Sequence, residues 1–176
     1  QVADTRAGST SLWVYGLTRQ TATRLTFGHA IETTPVVTPD GTRVFFSSDA
    51  LSPFDIYEPP LDGSELPWPR VASPNAQFAT GVSSDGQLLL YWSNQTQVTT
   101  KQDLWVLPLV GDAKPRPFLA TPAIEREGAF SPAGRWIAYT SDVPGALPVL
   151  VKPIPGPGAS RPISGTSESG PHSSHA

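Results

Sequence analysis

The chain of 176 residues contains no cysteine and no methionine. Without cysteine there is no disulfide, no thiolate nucleophile and no zinc–sulfur site, and neither redox compartment is favoured on that ground. Histidine occurs only at His29, His172 and His175. No apolar run approaches the ~18 residues of a membrane-spanning helix, so this segment is not expected to insert into a membrane. Positive charge is also sparse: 12 Lys and Arg stand against 15 Asp and Glu, for a net charge of −3. The basic residues are scattered rather than gathered in a stripe, which excludes nucleic acid as the expected partner. No window of a dozen residues combines 3.6-residue apolar periodicity with freedom from proline.

Proline stands where helix is missing. The 20 prolines are spread along the whole chain, at about twice the ~5% average. Each interior proline removes a backbone donor and clashes with the preceding helical turn. The expectation is an all-β chain rich in turns.

What the chain does have is a repeat. Thr38-Pro39-Asp40-Gly41-Thr42-Arg43-Val44-Phe45-Phe46 returns as Ser83-Ser84-Asp85-Gly86-Gln87-Leu88-Leu89-Leu90-Tyr91. It returns again as Ser131-Pro132-Ala133-Gly134-Arg135-Trp136-Ile137-Ala138-Tyr139, the glycines being offset by 45 and 48 residues. A second motif keeps the same period: Leu12-Trp13-Val14, Ile56-Tyr57-Glu58, Leu104-Trp105-Val106 and Val149-Leu150-Val151. Two local patterns locked to one period of 20–50 residues indicate stacked structural repeats. In the turn, proline fixes φ, aspartate bonds its own backbone and glycine accepts positive φ. The strand after each turn is apolar at consecutive positions, which implies packing on both faces, as in a sheet held between two similar sheets.

Read in this way, the chain is a partial β-propeller of about three and a half four-stranded antiparallel blades. Strands are expected at 12–17 and 23–26, then at 35–38, 42–48, 54–61 and 68–73. A second full set falls at 79–83, 87–93, 103–109 and 116–120, and a third at 128–131, 135–141, 148–154 and 161–164. The organisation is a flexible stretch over 1–10, a half blade with its lead-in loop over 11–34, and blades over 35–77, 78–126 and 127–164. A disordered tail is expected over 165–176.

The strand–turn–strand of residues 131–142, followed in type by Asp103-Leu104-Trp105-Val106-Leu107-Pro108-Leu109-Val110-Gly111, resembles the WD-repeat-like, TolB-type bacterial β-propeller repeat family. Residues 103–119, with 130–142 and 153–158, are similar in more detail to propeller regions C-terminal to membrane-anchored bacterial serine/threonine protein kinases. The resemblance runs from Leu12 to about Ser164. Ser84 departs from the turn proline and Ala133 from the turn aspartate. The resemblance implies a periplasmic or extracytoplasmic scaffold that binds protein or peptide, with no cofactor and no catalysis of its own. Family rings have about six or more blades, so this chain is expected either to be a piece of a longer protein or to pair with a copy of itself. An alternative reading makes the chain a fragment of an enzyme, a receptor serine/threonine kinase or, as the weaker option, a prolyl-oligopeptidase-type hydrolase, with its catalytic domain elsewhere. A blade face left open by the partial ring predicts self-association.

Catalytic constellations are weak. Gly81-Val82-Ser83-Ser84-Asp85-Gly86 and Gly165-Thr166-Ser167-Glu168-Ser169-Gly170 lack the G-x-S-x-G spacing of a nucleophile elbow. His29 with Glu32 could form an acid–base or metal pair, but a solvated loop accounts for them more simply. His172 and His175 fall in the tail. Asp49, Asp55, Asp103 and Asp142 recur at the ends of middle strands. That recurrence reads as turn and edge hydrogen bonding rather than as converging cation ligands. Glu125, Arg126 and Glu127 read as a solvated rim.

Trp13, Tyr57 and Trp105 share one repeat position, and Phe46, Tyr91 and Trp136 nearly share another, as packing between blades requires. Trp68 and Trp92 fall off that pattern. They join the polar loop 94–102 in a candidate partner-binding rim made of Trp68, Trp92, Asn94, Gln95, Gln97 and Lys101. Loops on a rigid scaffold carry binding more often than the scaffold does.

Overall fold

The computed structural model describes residues 2–6, 8–51, 53–94, 101–111, 113–142, 148–155 and 158–163, with backbone alone for 2–6. Among them there is no helix; every named element is a strand, and the strands form four antiparallel sheets in chain order. The fold is a partial β-propeller. The chain divides between Ala79 and Thr80 into two compact units.

In the first unit, β1 (Val2–Arg6), β2 (Ser9–Gly16) and β3 (Thr21–Arg24) form a three-stranded blade. The second blade is β4 (Glu32–Val37), β5 (Val44–Ser48), β6 (Asp55–Glu58) and β7 (Trp68–Val71), each paired with the next. The third blade begins with β8 (Gln77–Val82), which crosses the division, and continues in the second unit with β9 (Leu88–Asn94), β10 (Gln102–Pro108) and β11 (Arg116–Leu119). The fourth is β12 (Glu125–Phe130), β13 (Trp136–Ser141), β14 (Val149–Pro153) and β15 (Arg161–Pro162).

Three features differ from the sequence reading. The N-terminal stretch expected to be flexible contains β1, which pairs antiparallel with β2 from Val2↔Trp13 to Arg6↔Ser9. The first blade therefore has three strands where half a blade was expected. Each complete blade also begins two or three residues earlier than the apolar pattern indicates, at Glu32, Gln77 and Glu125. Finally, the third member of the Phe46 and Tyr91 set is Tyr139, five residues after its turn glycine, and not Trp136. Residues 165–176 lie outside the described part.

The repeated turns close themselves. In the second blade Thr38 N–H donates to Arg43 O at 2.9 Å and Arg43 N–H returns to Thr38 Oγ1 at 3.1 Å, while Gly41 N–H reaches Thr38 O at 2.8 Å. Thr38 Oγ1 donates to Asp40 Oδ1 at 2.5 Å and Thr42 N–H to the same oxygen at 3.1 Å. Ser83 and Asp85 repeat this set around Gly86 at 2.6–3.0 Å. In the fourth blade Ser131 keeps the backbone and hydroxyl bonds to Trp136 and Gly134, although Ala133 supplies no carboxylate. The three glycines have φ of 68°, 71° and 65°, where a β-carbon would strain the backbone.

Side chains after each turn are buried on both faces. All five residues of β5 are buried. In the first unit Leu12 and Leu25 of the first blade pack with Val44, Phe46 and Tyr57 of the second. In the second unit Leu90 and Val106 of the third blade pack with Phe130, Ile137 and Ile154 of the fourth. Burying each such side chain stabilises the fold by about 1.5–3 kcal/mol. Cross-strand aromatic pairs reinforce the sheets: Phe46 stacks with Tyr57 at 5.8 Å, and Tyr91 with Trp105 at 6.4 Å.

Candidate functional site

Antiparallel connection gives each complete blade two unlike ends. One carries the glycine turn and the connection from its third to its fourth strand. The other carries the second-to-third strand loop and the segment leading into the first strand. Glu32, Gln77 and Glu125 open the first strands at this second end, which is here called the loop end.

In the first unit the loop end is organised by Glu32. Thr26 Oγ1 donates to Glu32 Oε2 and also accepts Leu12 N–H at 2.8 Å. Thr10 Oγ1 donates to Glu32 O at 2.6 Å. Burial pushes the Glu32 carboxyl up, against the Thr26 hydrogen bond that pulls it down. Ile31 and Asp49 clasp each other: Ile31 N–H donates to Asp49 Oδ1 at 2.6 Å and Asp49 N–H to Ile31 O at 3.3 Å. Arg24 is held by Thr26 O and Ser11 Oγ at 2.8 and 2.7 Å. Its guanidinium lies 5.9 Å from the Trp13 ring centre and 5.1 Å from that of Phe27. In the same loops Phe27, Ile31 and Leu51 are exposed, at 71%, 39% and 68%.

The same layer recurs in the other blades. Gln77 Nε2 donates to Ser73 Oγ and Asn75 O, and Asp55 accepts Ser73 N–H at 3.3 Å. Burial raises the Asp55 carboxyl above its ordinary range. In the second unit Thr121 Oγ1 donates to Glu125 Oε1, and Ile124 and Asp142 repeat the clasp of Ile31 and Asp49. Glu125, read from sequence as solvated, is buried. Asp49 and Asp142 thus hold the lead-in backbone, a use visible in their equal spacing from Gly41 and Gly134. Among the described residues no group of three His, Asp or Glu is disposed to hold a metal ion.

The sequence-derived rim residues separate. Trp92 is half-buried on β9 opposite Leu104, Asn94 ends β9 and accepts Gln102 Nε2 at 2.8 Å, and Lys101 is exposed just before β10. These three belong to one hairpin at the loop end of the third blade. Trp68, 40% exposed, opens β7 opposite Glu58, at the turn end of the second blade. Gln95 and Gln97 lie outside the described residues, as do Ser167, His172 and His175. His29 is exposed in its loop, while Glu32 is taken up by Thr26. Ser83 spends its hydroxyl on Asp85 and Leu88. Leu51 lies in the loop 49–53 that the sequence already places on a partner-binding rim, whereas Phe27 and Ile31 escaped it because isolated apolar residues in loops carry no periodicity.

Fold and site together define a propeller whose polar groups serve the scaffold. Comparison with solved structures supports the fold. The chain is similar to TolB from Acinetobacter baumannii (TM-score 0.78, 16% identity, 94% of this chain and 40% of that one). It is also similar to a putative TolB from Agrobacterium tumefaciens (0.70, 20% identity, 83% and 51%), and to the tricorn protease (0.65, 18% identity, 97% and 18%). The architecture is that of a TolB-like propeller, and the chain spans 40% and 51% of the two TolB structures. Neither a protein-family model nor a curated protein matches it.

Proposed function

We propose that this chain is a non-catalytic segment of a larger extracytoplasmic propeller, presenting a loop-end surface to a protein or peptide. The observation that carries the reading is the exposure of Phe27, Ile31 and Leu51 in loops whose polar groups, Thr26, Glu32 and Asp49, are already engaged. Aromatic side chains are enriched at contact surfaces, and loops on a rigid scaffold carry binding more often than the scaffold does. The Trp92, Asn94 and Lys101 hairpin is the second contact proposed, with Gln95 and Gln97 added from the sequence, and Trp68, at the turn end of its own blade, is a third. A peptide array probed with the chain and with Phe27→Ser/Leu51→Ser and Trp92→Ala/Lys101→Ala variants tests it. Binding lost in the first variant supports the reading; peptides bound equally by all forms refute it.

The likeness to the tricorn protease supports a second reading, in which the segment belongs to an enzyme whose catalytic domain lies outside it; the resemblance to kinase-associated propellers points the same way. The purified chain should then show neither peptidase nor kinase turnover. A groove of about 180 Å³ lined by Leu12, Val14, Pro35 and Leu61, with Tyr15 and Val37 exposed beside it, supports self-association as a third reading. Light scattering that finds only monomer removes it.

A further inference from the structure

Glu32, Gln77 and Glu125 occupy one repeat position, nine residues before Gly41, Gly86 and Gly134. Each meets a hydroxyl from the segment before it: Thr26, Ser73 or Thr121. The third blade places a neutral amide there, and Gln77, only 1% exposed, donates from Nε2 to two oxygens. Glu125 sits in the same position and is 2% exposed. Its Oε1 accepts from Thr121, but its Oε2 is buried with no hydrogen-bond partner.

That is poor solvation for a charge. A buried carboxylate needs several donors or a cation, whereas a carboxylic acid has the shape and neutrality of the amide. The groups acting on Glu125 sharpen the point. Asp103 of β10, itself buried, and Asp142 beyond β13 are both acidic, and Tyr139 of β13 presents a phenol held by Ser160. On its own strand Arg126 is exposed and Glu127 accepts from Thr140. Among the described residues no Lys, Arg or His pairs with Glu125, and Lys152 of β14 is turned to Phe118 O. A neighbouring negative charge disfavours the ionised form of a buried carboxyl.

We propose that Glu125 is a proton-binding site that locks the start of β12, carried as the acid in the folded fourth blade and weakening that blade when it ionises. Burial, then Asp103 and Asp142, push its carboxyl above the ordinary range, against the Thr121 bond. In the unfolded chain that carboxyl returns to the ordinary range. Between the two values the folded chain holds the extra proton, so stability falls as pH rises. The gain is complete below the unfolded pKa and gone above the folded one.

The test uses the intact chain. Carbon-13 NMR of the glutamate side-chain carboxyls, assigned by comparison with Glu125→Gln, follows each group through pH 3–9. A Glu125 signal that titrates above the other glutamates is expected. In parallel, thermal unfolding from pH 5 to 8 should show a declining midpoint that Glu125→Gln flattens by the linkage of about one proton. A Glu125 signal that titrates with the exposed glutamates overturns the proposal, and this readout needs no variant to stay folded. An unchanged pH slope in a folded Glu125→Gln chain also overturns it. So does calcium-dependent stabilisation at neutral pH that the variant abolishes, since the site would then hold a cation.

Discussion

Gly128 and Leu90 stand so close that a β-carbon on Gly128 would lie 2.7 Å from Leu90 Cδ2 and 3.2 Å from Leu104 Cδ2. The glycine lets β12 approach the third blade where β12 is bulged, between Arg126 and Ala129. Leu90 and Leu104 are fully buried and have no open space into which to turn. Gly128→Ala should fold with a loss of about 1–3 kcal/mol, the usual range for overpacking. Urea denaturation measures it.

The preceding residue, Glu127, has φ of 55°, and its repeat partner Thr34 has φ of 47° in the matching bulge of β4. Both are left-handed conformations at residues other than glycine, and Thr34 is β-branched, which makes its strain the larger. Thr34 is retained by a hydroxyl contact with Ser47 at 2.9 Å. Glu127→Gly should stabilise the chain by about 0.5–1 kcal/mol and Glu127→Val should destabilise it, in proportion to the steric demand of a β-carbon there. Paired denaturation midpoints decide the matter.

The fourth-blade turn lacks only the carboxylate that Asp40 and Asp85 provide. Ala133→Asp should supply the missing acceptor for Arg135 N–H and Ser131 Oγ, raising stability by about 0.5–1.5 kcal/mol. Conversely Ser83→Ala leaves Leu88 N–H without its side-chain acceptor and should cost about 1–2 kcal/mol. Thermal melts of the two variants should move in opposite directions.

Glu58 binds two guanidinium groups, Arg43 Nη1 at 2.5 Å and Arg70 Nε at 3.2 Å, and its side chain is 4% exposed. Removing it strands two cations that are themselves partly solvated, at 39% and 26% exposure. That solvation limits the loss from Glu58→Ala to about 1–3 kcal/mol, below the range for fully buried pairs. The size of the loss should grow when salt is lowered, since exposed cations then repel each other over a longer range.

Acid acts through the turns. Asp40 is held at about 2 by the Thr38 hydroxyl first and the Thr42 amide next, and Asp85 is lowered by Ser83 and Gln87 in the same way. Their folded pKa values lie below the unfolded ones, so their contribution is present above the ordinary carboxylate range and is lost as pH falls through the folded values. Melting temperature should therefore drop below about pH 4, and Asp85→Asn should make that drop shallower.

The turns, the blade count and the strands that follow each glycine were legible because each rests on a local cause: a left-handed glycine, a self-bonding aspartate, consecutive apolar residues. The first strand of each blade was read short. Bulges at Thr33–Val36 and Arg126–Ala129 break the alternation that reveals a strand, so Glu32 and Glu125 looked like loop residues. Spacing alone could have found them, because Glu, Gln and Glu stand at one distance from three turn glycines. β1 was missed because Val2-Ala3-Asp4-Thr5-Arg6 becomes a strand by pairing with β2 and not by its own pattern. Which loop a partner touches follows from shape at the surface, which no periodicity encodes.

The six-residue turns are satisfied by bonds within themselves. Their bonds span separations of five residues or fewer in the chain. Such short closures cost little loop entropy, and a lesion in one turn leaves the bonds of the other two intact.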